Sequence, residues 1–143
     1  MTPLRHRLWG AALTGQLALG ASCALRWFQL PYAPWYQYIE TADLVPTATM
    51  LALALLARSK FKIAALIVWT LLALFALCAA VATFPHWDNG ITDVPRNVES
   101  RFETISVASE ALMYFAALVL SVTGLALLKL ELANRRPPVT TAA

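Results

Sequence analysis

Four stretches of the chain, 8–25, 44–57, 63–84 and 111–128, contain no Asp, Glu, Lys or Arg. A helix rises about 1.5 Å per residue and the hydrocarbon core of a bilayer is roughly 30 Å thick, so three of the four are long enough to cross it. The pattern predicts an all-α, integral membrane four-helix bundle, a single transmembrane domain over 1–136 with helices over about 8–28, 35–57, 63–84 and 98–130. The second uncharged stretch is too short by itself. Pro34 can open a helix that continues to 57 as one element bent near Pro46, because the missing proline N–H frees a carbonyl one turn earlier. The half before the bend then lies oblique to the membrane or along its surface. Residues 137–143 read as a disordered tail.

The N-terminal Arg5-His6-Arg7 and the Gly20-Ala21-Ser22-Cys23 segment invite a reading as a secretory or lipoprotein signal. The apolar run is longer than a signal core, Gly20 stands where a lipoprotein site takes Leu, and Arg26-Trp27-Phe28 reads as the interfacial end of a retained span.

Composition agrees with the pattern: 59% of the 143 residues are apolar and 13% charged, and the mean hydropathy is +0.62. A soluble domain is nearer half apolar and a quarter charged. This excludes a water-soluble enzyme, a sizeable domain outside the bilayer and, with only Cys23 and Cys78, a disulfide framework; it also excludes a nucleic-acid module despite the net charge of +3. The expected surroundings are the lipid bilayer of the cell (inner or plasma) membrane, crossed several times. Eight of the 11 Lys and Arg residues (Arg5, Arg7, Arg58, Lys60, Lys62, Lys129, Arg135 and Arg136) fall on one side of such a bundle. Six of the eight acids (Glu40, Asp43, Asp88, Asp93, Glu99 and Glu103) fall on the other. The positive-inside rule then puts both termini in the cytoplasm.

Candidate chemistry clusters at the outer, acidic level. Glu99, Glu103, Ser106 and Glu110 share one stripe of the last helix, and Tyr36, Glu40, Asp43 and Thr47 form a stripe of the same spacing on the second. Glu110 lies where the apolar run begins. An ionised carboxylate there costs roughly 2.5 kcal/mol or more unless it is paired, hydrated or protonated. It is therefore the candidate catalytic residue, and Arg26 is its expected partner, with Arg101 next. Its alternative role is purely to fix helix packing.

With His86, the carboxylates Glu40 and Asp43 are groups of the kind that bind iron, manganese or zinc, but no Glu-x-x-His spacing is present and a solvated acidic loop is the preferred reading. His6 and His86 lie at opposite ends, which excludes a bis-histidine haem. No cofactor is assigned. Cys23 and Cys78 lie at similar depth and can meet, though lone membrane cysteines usually pack as small apolar residues. Nine aromatics, among them Trp27, Tyr36 and Trp87, belong to the outer level, enough to line a pocket for a flat apolar ligand as well as to form an interfacial belt. Gly10, Thr14 and Gly15 on the first helix, and Ala117, Ser121 and Gly124 on the last, permit close helix contacts.

Several short motifs follow one another in a recognisable order: Thr14-Gly15 and Gly20 in the first helix, the polar interfacial segment 32–43, Pro95-Arg96-Asn97 in the last loop, and Arg101-Phe102-Glu103 opening the last helix. In this the chain resembles the anthrone-oxygenase-like family of small four-helix membrane proteins. The resemblance implies a four-helix membrane fold and oxidation of an aromatic substrate. The family's His and Arg, one and two turns into the last helix, are replaced near those places by Ser106 and Ser109, which leaves Glu110 as the ionisable group there.

The expected function is a pocket between helices 1, 2 and 4 for a hydrophobic, aromatic or quinone-like molecule, with possible oxidation of it. Glu110 is the candidate catalytic residue, and Trp27, Tyr36, Glu40, Asp43, Ser106 and Trp87 are the candidate binding residues. Two rivals stand beside it. One is a non-enzymatic accessory subunit packed against other membrane subunits; the other is a dimeric proton-coupled exporter, which needs Glu110 near the midplane.

Overall fold

A computed structural model describes residues 2–27, 42–83 and 99–136, with the backbone alone at 82–83, 99–104 and 106. The described residues form four helices: α1 (Pro3–Trp27), α2 (Leu44–Leu56), α3 (Ser59–Thr83) and α4 (Glu99–Ala133). Three segments are long and apolar enough to cross a membrane, Pro3–Trp27, Ser59–Val81 and Val107–Ala133, which marks the chain as a helical membrane protein.

Helix boundaries follow local chemistry. Pro3 occupies the first helical position of α1, where its missing N–H costs nothing, so the helix takes in Arg5 and Arg7 and starts earlier than the uncharged run. The segment that would form the other arm of the bend expected near Pro46 lies outside the described residues. Asp43 is the N-cap of α2, and Pro46 sits in the helix's first turn, where a proline N–H has no helical acceptor to lose. The expected oblique half, about residues 35–41, lies outside the described residues. At its other end α2 closes with the Ala57 N–H donating to Leu53 O at 2.8 Å. Extended backbone at Ala57 then turns the chain directly into α3.

The outer surface is apolar, as lipid requires: Leu17 and Leu71 are 75% and 60% exposed. The core is lined by Leu19, Leu66, Trp69, Met113, Leu120 and Leu127. α4 is the central helix, packed along α1 on one side and α3 on another, while α2 leans mainly on α3. Two glycines set the closest approaches. A Cβ at Gly15 would meet Leu120 Cδ2 at 3.0 Å, and one at Gly124 would meet Thr70 Oγ1 at 2.5 Å. The expectation of close contacts therefore holds at Gly15 and Gly124, and also at the buried Ala117 and Ser121. It fails at Gly10, which has open space around its Cβ position, and at the exposed Thr14, whose hydroxyl donates back to the Gly10 carbonyl at 3.0 Å.

Candidate functional site

At the end of the bundle where α1 finishes and the apolar part of α4 begins, the first apolar turns still carry polar residues. Helical spacing puts Ser22 and Arg26 of α1 one turn apart on the same face. Opposite them stand Ser109 and Glu110. The Ser22 hydroxyl donates to the Ser109 carbonyl at 2.7 Å. Arg26 Nη2 donates to Glu110 Oε1 at 2.5 Å. Arg26 is 1% exposed and Glu110 6% exposed, so this is a buried, charge-assisted hydrogen bond between two helices.

The pairing of Glu110 with Arg26 is the one expected from the sequence. Arg26 is buried against α4. It turns inward, while its neighbour Trp27, about 100° round the helix, is 68% exposed and faces away. Glu110 is the fourth residue of the apolar part of α4, near one end of that segment and not midway.

The third helix at this end contributes Asp43 and Thr47. Thr47 is fully buried, and its hydroxyl donates to the Asp43 carbonyl at 2.6 Å, holding the first turn of α2. Asp43 is 6% exposed and lies within electrostatic reach of Cys23, as does Arg26. One oxygen of its carboxylate, Oδ2, is buried with no hydrogen-bond partner among the described residues. Glu110 is therefore satisfied by a cation, whereas Asp43, with the Thr47 hydroxyl near its carboxyl group, leaves Oδ2 without a donor among the described residues.

Of the binding residues expected from the sequence, Asp43 is brought to this cluster and Trp27 to its outside. Ser106 lies on α4 less than two turns before Glu110, with its side chain undescribed; Tyr36, Glu40, His86 and Trp87 lie outside the described residues. The two cysteines differ in setting, Cys23 being buried and Cys78 exposed. Among the described residues no three His, Cys, Asp or Glu side chains gather in a metal-binding group. Two cavities lined by described residues, one between α2 and α3 and one along the end of α4, lie away from this cluster.

Two features were missed in the sequence. Ser22 bridges α1 and α4, and the signal for it was its place one turn before Arg26. Glu131 forms ion pairs with Arg5, and with Lys62 at 3.9 Å, tying α4 to α1 and α3 at the opposite end. It was legible as the lone acid in a basic terminal segment.

No family profile, curated protein or solved structure matches this chain.

Proposed function

We propose that this is a four-span protein of the cell membrane, both termini cytoplasmic, that holds a hydrophobic aromatic or quinone-like molecule at the Asp43 end of the bundle. The molecule presents an O–H or N–H group, and Asp43 accepts its hydrogen bond. The supporting observation is the buried Asp43 Oδ2, which has no partner among the described residues. A buried acceptor left open costs on the order of 1–3 kcal/mol, more if charged, and a donor on a ligand removes that cost. Arg26 neutralises Glu110 and so takes it out of competition for the ligand. The role first given to Glu110 passes to Asp43, and Glu110 becomes part of the wall.

The resemblance to the anthrone-oxygenase-like family extends the proposal to a reaction. A carboxylate that takes a proton from the acidic C–H of an anthrone performs the proton transfer that oxidation by dioxygen requires.

The test is binding of 1-naphthol and of 1-methoxynaphthalene, which keeps the rings and lacks the donor, to protein in lipid nanodiscs with empty nanodiscs subtracted. The expected result is preference for 1-naphthol by about tenfold or more, abolished by Asp43→Asn, because hydrogen bonds to charged groups contribute about 1.5–3 kcal/mol. Equal binding of the two probes would overturn the reading.

The Arg26–Glu110 pair favours a second reading, an accessory subunit in which the pair only fixes packing. Gentle solubilisation distinguishes the two, since an accessory subunit migrates with other chains and an autonomous protein does not.

A further inference from the structure

The hairpin of α2 and α3 splays into a groove of about 550 Å³, within the roughly 300–1,000 Å³ common for small-molecule sites. Its walls are apolar side chains of both helices, among them Met50, Leu53, Phe61, Ala64 and Val68, and Arg58, at the closed end of the hairpin, borders it almost wholly through apolar atoms, with its charged end beyond the lining. Leu53 and Phe61 are 48% and 77% exposed, so the groove opens onto the outer, lipid-facing surface. Arg58 is exposed and makes no ion pair among the described residues. Lys60 and Lys62 follow within four residues, and no Asp or Glu occurs between Asp43 and Asp88. Lys62 is already committed, to Glu131 and, at 5.5 Å, to the ring of Trp9. Arg58 is not.

We propose that this groove binds an anionic phospholipid, with one acyl chain lying between α2 and α3 and the headgroup phosphate on Arg58. Charge complementarity selects the occupant. A guanidinium presents several N–H donors in a fixed fork that matches a phosphate. The apolar walls beneath it match a hydrocarbon chain, and basic pockets between membrane helices at headgroup level are a recurrent means of lipid recognition. A zwitterionic lipid offers the same chain, but its own cation offsets the phosphate charge. The inference rests on the membrane reading alone and is independent of the role of Asp43.

The test is native mass spectrometry of the delipidated full chain in detergent, titrated with dioleoyl phosphatidylglycerol or dioleoyl phosphatidylcholine. The expected result is a one-to-one phosphatidylglycerol adduct at concentrations where phosphatidylcholine gives little. Arg58→Gln weakens that adduct about tenfold, the effect of one lost charge contact worth 1.4 kcal/mol. Lys60→Gln, which changes the same net charge outside the groove lining, leaves it within about twofold. Ala64→Phe fills the groove at an exposed position and removes the adduct, which provides an independent reading should Arg58→Gln not fold. Equal binding of the two lipids overturns the proposal, as does equal weakening by Arg58→Gln and Lys60→Gln, or an unchanged adduct in Ala64→Phe.

Discussion

The two ends of the α1–α4 pair use the same chemistry in different surroundings. At one end Arg26 and Glu110 meet with side chains 1% and 8% exposed; at the other Arg5 and Glu131 meet with side chains 22% and 13% exposed, and Lys62 stands nearby. The second cluster has a spare cation and partial access to its surroundings. Among the described residues the first shows no second cation, and both of its side chains are buried. Desolvation makes such a pair a poor source of net stability but a costly one to break. The two pairs differ in burial and in company, a contrast that distance alone does not reveal: one is almost wholly buried, the other half-buried and close to a second cation.

The largest effect is expected from breaking the buried pair on one side. Arg26→Met leaves the Glu110 carboxylate buried without its cation and is expected to cost about 3–5 kcal/mol. The readout is a marked loss of folded protein and a lower melting temperature in detergent. Replacing both partners with Met restores most of that loss, because two apolar side chains need no pairing.

Between the two ends, the helix contacts are set by glycines, and Gly124→Ala comes next in size. Its Cβ would meet the hydroxyl of Thr70, a buried β-branched residue with little freedom at χ1, and overpacking of this kind costs about 1–3 kcal/mol. Gly15→Ala meets Leu120 and Val119 side-chain carbons at 3.0 to 3.1 Å, a less severe approach than the 2.5 Å at Gly124, and is expected to cost less, and Gly10→Ala is neutral. Thermal melts of the three variants give that order if the packing is as described.

The smallest effect belongs to the open end. Glu131→Gln removes an ion pair that is partly exposed, with an expected change of at most about 1 kcal/mol. A loss as large as that of Arg26→Met would erase the contrast between the ends.

Much of this was legible in the sequence where the physics is local. The long uncharged runs reported the spans, because crossing hydrocarbon requires them. Glu110 stood out because a carboxylate in an apolar run needs a partner, and Arg26 was the cation at the matching level. The start of α2 was harder to read. Pro46 signals a kink inside a helix and is equally tolerated in a first turn, the place it takes in α2, so the residue itself does not distinguish the two. The burial of Arg26 beside the exposed Trp27 was hidden for another reason. Adjacent helical residues point in different directions, and which faces the bundle depends on the packing of α4. The Asp43 oxygen left without a donor among the described residues was equally out of reach, since it follows from tertiary packing and not from local sequence.

The central claim is a division of labour in which the Arg26–Glu110 pair holds helices together and Asp43 receives the ligand. Its most direct test is the affinity of 1-naphthol for the Arg26→Met/Glu110→Met double variant in nanodiscs. The account predicts binding within about threefold of the unaltered protein, since the acceptor is untouched and a change of that size is under 1 kcal/mol. A loss as large as that expected of Asp43→Asn would show that the buried pair is itself the ligand site, and would contradict the account.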